Sequence, residues 1–326
     1  MKWQRKCLRV GTWAILLAIF LRLYGSGAFA QIVQLLQQPE TAAVLLYLET
    51  GKVFRPPPEE PLPATLPTTL PTEEVTRPAA LPAFTAADAD LVHLRNIAGV
   101  PVDVGALLEK PLCWDLAASP ASVLLLHTHA TESYTQTAGE SYEPSGDYRT
   151  LDTGHNLVSI GNRMEELLTG AGIGVIHWEE LHDYPSYDGG YERSRATIRD
   201  VLDRESGIQL ILDLHRDAAV DEKGNQFTTS CIANGRETAQ IMLVVGTDYP
   251  TWQENMALAV KLTAQLEKMY PGITRGIILR TYDYNQDLHP GALLVEVGAA
   301  GDSRSKALAA AEILTEAILS LANGSG

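Results

Sequence analysis

Cysteine is scarce in this 326-residue chain: only Cys7, Cys113 and Cys231 occur, and no two form a CxxC pair. A thiolate zinc cluster and a dithiol redox motif are therefore excluded. Cys7 precedes an apolar segment, so at most one disulfide, between Cys113 and Cys231, is open to the rest. Basic charge is also in deficit. Lys and Arg number 25 against 40 Asp and Glu, a formal net charge of −15. A nucleic acid would be repelled over most of such a surface, so no nucleic-acid partner is expected. There is no internal repeat. What remains is an ordinary hydrophobic fraction of 45%, enough to supply a core.

The N-terminus carries Lys2, Arg5, Lys6 and Arg9 ahead of an apolar run from Val10 to Leu21 that resumes after Arg22 toward Ala30. Basic residues on that flank keep the N-terminus inside and send the remainder out of the cytoplasm. A signal peptide ending at Ala28-Phe29-Ala30 and an uncleaved single-pass anchor both fit. Residues 31–54 carry apolar positions at helical spacing, broken at Pro39, and read as short juxtamembrane helices. Residues 55–83 are rich in proline, including Pro56-Pro57-Pro58, and form an extended linker. The body, residues 84–326, follows.

Within that body strand-like and helix-like segments alternate. Strands are predicted at Val123–Leu126, Gly174–His177, Gln209–Leu214, Ile241–Val245, Gly276–Leu279 and Leu293–Val297. Helices are predicted at Leu157–Leu168, Ala196–Leu202, Thr251–Met269 and Ser303–Leu321. The pattern implies an α/β domain with a mostly parallel sheet flanked by helices. In such sheets ligands bind outside the carboxyl ends of the strands.

Three predicted strands end in groups that carry chemistry. The first leads into His127-Thr128-His129, the second into His215-Arg216-Asp217, and the third into Glu296. Two imidazoles and carboxylates gathered at one edge suit a catalytic zinc, which takes three N or O ligands and keeps a position for water. The third ligand is expected from the loop between His129 and Leu157, which offers Glu132, Glu140, Glu143, Asp147, Asp152 and His155. Glu296 is placed as the general base. The bland alternatives are hydrogen-bonded core histidines, a Glu132 that caps the turn, and an Arg216 that serves as an ion-pair partner. His155, His177, His182 and His289 read as loop or surface residues. Neither a metallo-β-lactamase-type HxHxDH site nor a polymerase-and-histidinol-phosphatase-type site can be completed from this HxH.

Several motifs in order, His127-Thr128-His129-Ala130-Thr131-Glu132-Ser133-Tyr134, His182-Asp183-Tyr184-Pro185-Ser186-Tyr187, Asp213-Leu214-His215-Arg216-Asp217, Tyr270-Pro271-Gly272 with Thr274-Arg275-Gly276, Tyr284-Asn285-Gln286-Asp287-Leu288 and Leu293-Leu294-Val295-Glu296-Val297-Gly298, resemble the stage II sporulation protein P family. The resemblance implies a cell-wall amidase-like fold and a zinc N-acetylmuramoyl-L-alanine amidase that also cuts peptide cross-links. It implies His127, Glu140 and His215 as zinc ligands and Glu296 as the catalytic glutamate, with His129, Glu132 and Arg216 at motif positions that touch substrate or support the ligands. It further implies an uncleaved membrane anchor and peptidoglycan as substrate. A lytic transglycosylase, stage II sporulation protein D, is the implied partner, at the septum during engulfment of the forespore. The rival readings are a non-catalytic wall-binding scaffold and a metallo-phosphoesterase.

Overall fold

Short runs of leucine, isoleucine and valine that stop at polar residues become strands covered on both faces, the condition a parallel sheet requires. The structure, a computed structural model, describes residues 84–111, 116–117, 119–220 and 225–323. The expected membrane segment, juxtamembrane helices and linker, together with Cys113, lie outside the described residues. Among the described residues no helix is long and apolar enough to cross a membrane.

The strands are β1 (Leu94–Asn96), β2 (Val123–Leu126), β3 (Val175–His177), β4 (Leu210–Asp217), β5 (Ser230–Ala233), β6 (Arg236–Ala239), β7 (Ile241–Gly246), β8 (Thr274–Arg280) and β9 (Ala292–Ala299). The helices are α1 (Val104–Glu109), α2 (Leu157–Gly170), α3 (Gly190–Arg204), α4 (Trp252–Met269) and α5 (Arg304–Asn323). Seven strands build one sheet in the order β1-β8-β7-β9-β4-β2-β3, while β5 and β6 make a separate hairpin. Five of the six pairings in the large sheet are parallel, and the exception is β7 against β9. The sheet is therefore two parallel halves joined back to back, and β2, β3, β4 and β9 send their carboxyl ends to a common edge.

Helices cover both faces. Leu125, Leu212 and Leu214 pack with Leu157, Ile160 and Met164 of α2 and with apolar residues of α4 and α5. Leu124, Leu126 and Ile211 pack instead with Ile198 and Val201 of α3. Successive strand residues thus alternate between the two layers. Asn156 caps α2, its side-chain oxygen accepting from the Val158 N–H at 3.0 Å, which ends the long connection after β2 at a defined point.

The predicted strands and helices all form, with ends displaced by a few residues; α3, for example, begins at Gly190 rather than Ala196. Not foreseen were β1, α1 and the β5–β6 hairpin.

Candidate metal centre

The site begins with Asp213. On β4 it shares a face with His215, because strand side chains two apart point the same way. Its carboxylate accepts from the Thr128 N–H at 2.7 Å and from the Thr128 hydroxyl at 2.6 Å. That grip fixes the turn leaving β2 and delivers His129 to the β4 edge. The rings of His129 and His215 are 5.0 Å apart, edge to face. Glu132 is held below them: its backbone N–H donates to the His129 carbonyl, and Tyr134 anchors the following chain by donating its hydroxyl to the Val297 carbonyl at 2.8 Å.

His129, Glu132 and His215 each present a donor atom, and these atoms lie within 4.8 Å of one another. All three residues are buried. It is the only such group of three or more His, Cys, Asp or Glu donors among the described residues. Glu132 lies between positive neighbours, Arg149 at 3.2 Å and Arg216 at 3.6 Å. Burial alone would raise its pKa, but Arg216, His215, His129 and Arg149 together bring it below the usual value, so it stays ionised. Burial likewise opposes charge on His215, yet Asp213, Glu132 and Glu296 outweigh it and lift that imidazole to about 9. His129 goes the other way, to about 4, through burial and the nearby His215.

Glu296 on β9 sits directly across from His215 in the parallel ladder. Burial first, then Glu132 and Asp217, raise its carboxyl to about 8, against the lowering influence of His215 and Arg216. Its Oε2 is buried without a hydrogen-bond partner, as is Nε2 of His215, which stands 3.1 Å from Asp213 Oδ1. Buried polar atoms without partners are rare and costly, and here two of them border one cluster.

The structure does not bring together the trio His127, Glu140 and His215. His127 faces α2, on the opposite side of the sheet from His215. Its Nδ1 lies 3.4 Å from the Leu214 carbonyl and its Nε2 2.9 Å from Nε2 of His177. Gly161 of α2 makes room for this pair, since a Cβ there would come within 2.4 Å of the His177 ring and 2.8 Å of His127. Glu140 lies beside Arg304 at the start of α5, 3.4 Å away. Alternation explains the first outcome: His127 continues the α2-facing set of Leu125, and only the turn beyond it crosses to the other face. Of the remaining expected residues, Arg216 is buried, its N–H and guanidinium holding Glu132 and the carbonyls of Ser133 and Tyr148.

The histidines read as loop or surface residues need correction in two cases. His182 is buried, and its Nδ1 donates to the His127 carbonyl while Nε2 accepts from the Thr197 hydroxyl. The His177 ring is buried against His127. Asp213 was missed as a site residue, although its place two residues before His215 on a strand was a usable signal. Tyr187, stacked on His129 at 4.4 Å, and Tyr191, parallel to His215 at 6.3 Å, were also missed. They come from a separate segment and carry no spacing cue.

Comparisons with known proteins bear on the family. The family described as stage II sporulation protein P matches residues 82–319. Stage II sporulation protein P of Bacillus subtilis (strain 168) is 29% identical over 209 residues, 60% of this chain and 50% of that protein. The chain thus spans about half the length of that relative. Among solved structures, N-acetylmuramoyl-L-alanine amidase AmiC2 of Nostoc punctiforme aligns at 14% identity and a TM-score of 0.37, over 62% of this chain and 96% of that one. The N-acetylmuramoyl-L-alanine amidase from Clostridium difficile 630 aligns at 13% identity and a TM-score of 0.38, over 64% and 100% respectively. With the matched region covering the sheet, its helices and the buried cluster, the chain belongs to the stage II sporulation protein P family.

Proposed function

We propose that this chain is a zinc-dependent peptidoglycan hydrolase that cuts the amide between N-acetylmuramic acid and the stem peptide, and peptide cross-links as well. The observation that carries the reading is a three-donor cluster beside a buried carboxyl group with a free oxygen. His129, Glu132 and His215 offer two nitrogens and one oxygen, the donor set of a catalytic zinc that keeps an open position. Nδ1 of His215, turned toward Glu132 at 3.7 Å while Nε2 stands beside Asp213, fits a ligand role. When bound, zinc supplies Lewis acidity to the amide carbonyl and acidity to water. Glu296 Oε2 takes a proton from the attacking water and returns it to the amide nitrogen as the amine leaves. A carboxyl held near 8 suits both halves of that task near neutral pH. Asp213 keeps the His129 turn in place, and Arg149 and Arg216 keep Glu132 ionised.

Family membership supports a role in septal wall remodelling during engulfment, with stage II sporulation protein D as the partner transglycosylase. The basic and apolar N-terminus supports a single-pass anchor, with the proline-rich linker carrying the hydrolase on the outer side.

The test is metal analysis and digestion of purified sacculi by the full chain. The wild type is expected to hold one zinc per chain and release stem peptides. His215→Ala loses both metal and cleavage. Glu296→Ala keeps the metal and loses about 10²–10⁴-fold in rate. Full metal content in His215→Ala, or full activity in Glu296→Ala, would overturn the assignment.

A further inference from the structure

Tyrosine rings continue outward from the metal centre in a line. Tyr187 stacks on His129 at 4.4 Å, His129 meets Tyr191 at 5.4 Å, Tyr191 meets Tyr284 at 5.8 Å, and Tyr284 meets Tyr282 at 5.7 Å. Both ends of the line are open to solvent: Tyr187 is 55% exposed and Tyr282 is 64% exposed. Large exposed aromatics arranged in one patch mark interaction sites more often than isolated ones do.

The Tyr282 end rests on an unusual piece of backbone. Tyr284 and Asn285 are consecutive non-glycine residues with positive φ, 50° and 59°, a conformation such residues rarely adopt. Strain of this kind persists only where the surroundings over-determine it, and it gathers at functional sites. Here they do. The Asn285 amide donates to the Tyr191 carbonyl and to the Ser194 hydroxyl, and Arg195 donates to its oxygen. The next residue, Gln286, is locked by the Gly246 N–H and the Val244 carbonyl. A turn fastened this firmly to β7 and α3 sets Tyr284 over the sheet face formed by Val244, Ile278 and Leu294, with Tyr282 exposed beside it.

We infer that the Tyr282–Tyr284–Tyr191 ladder is a saccharide platform that seats the glycan strand of the wall polymer and leads it to the metal centre. The inference rests on the wall-hydrolase reading above and adds where the sugar lies. A pyranose ring offers a flat face of C–H bonds to an aromatic ring, and its hydroxyls match the phenol edges. The electrostatics favour sugar over stem peptide. Asp283, next to Tyr282 and Tyr284 in the chain, is exposed, its Oδ1 accepting from the Asn285 N–H at 3.0 Å, and the chain as a whole carries −15. Both disfavour the carboxylates of a peptide and leave a neutral N-acetylhexosamine unaffected. Arg280 is close enough to Tyr284 to act on it electrostatically, so an acidic peptide is the occupant to test against.

The experiment is equilibrium binding of an N-acetylglucosamine oligomer, and separately of a sugar-free stem tetrapeptide, to the full chain after chelation, so that no cleavage intervenes. The wild type is expected to bind the sugar saturably, and Tyr282→Ala to weaken that binding about tenfold, the scale of losing one stacked ring. Tyr282→Phe, which keeps the ring, is expected to restore it. No saturable sugar binding, equal binding by Tyr282→Ala, or tetrapeptide binding that is the only one lost in that variant would each overturn the platform. Because the readout needs no turnover, a chain that binds sugar but never cleaves sacculi refutes the hydrolase and spares the platform. One that cleaves without a Tyr282 dependence of sugar binding does the reverse.

Discussion

Carboxylates and imidazoles of the same kind take unlike roles here because their surroundings differ. Glu132, between two guanidinium groups, is held as a carboxylate, while Glu296 across the cluster is pushed up to about 8; environments that separate like groups in this way assign acid and base roles. The imidazoles divide similarly. His129 faces Glu132 and His215, whereas His127 is enclosed by Gly161, His177 and the Leu214 carbonyl. His129→Ala is therefore expected to bind no zinc. His127→Ala is expected to keep about one ion per chain and to lose about 1–3 kcal/mol of stability, the cost of leaving His177 without its partner. Metal analysis beside chemical denaturation reads both effects. If His127→Ala is the variant that loses the metal, the cluster is misassigned. The sequence made the strand end legible, since Leu124, Leu125 and Leu126 stop at a polar turn. It left open which imidazole crosses to the β4 face, because that depends on Asp213 gripping Thr128 from 85 residues away.

Among the elements, α1 is attached through a buried charge. Lys261 of α4 donates to the carbonyls of Leu107 and Leu108 near the end of α1, groups that a helix end leaves without partners. Burial, and then Lys110, lower the amine to about 8, from an ordinary value of 10.5. Between those two values the unfolded chain binds more protons than the folded one, so folding is favoured increasingly as pH rises through that window. The wild type is expected to gain stability from about pH 8 to 10.5, and Lys261→Met is expected to lack that gain. Denaturation midpoints taken at each pH check it, and equal slopes in the two proteins would rule it out. The long helices and apolar strands were readable from period and composition. The β5–β6 hairpin was not read, although Asn234-Gly235, with φ of 51° and 73°, is a strong two-residue hairpin signal. The antiparallel seam was beyond reading, because Ile241–Val245 is apolar throughout and looks the same in either direction.

For the molecule as a whole, under the proposed function, the excess of acid sets how it would meet a polymer whose stem peptides carry carboxylates. Repulsion between like charges is screened over about 8 Å at physiological ionic strength and about 30 Å at 0.01 M. Raising salt over that range is expected to speed the initial digestion of sacculi at low substrate. Slowing instead would show that local basic groups such as Arg280 dominate the encounter. The order of the sheet carries a further consequence. β9, the last of the described strands in chain order, is the strand in the middle, flanked by β7 and β4, and it brings Glu296. Without β9 the two halves have no seam to close on, and the carboxyl group of Glu296 is missing from the cluster. A chain cut back before Ala292 therefore loses the joint of the sheet and the proposed proton carrier at one stroke, and is expected neither to fold nor to cut.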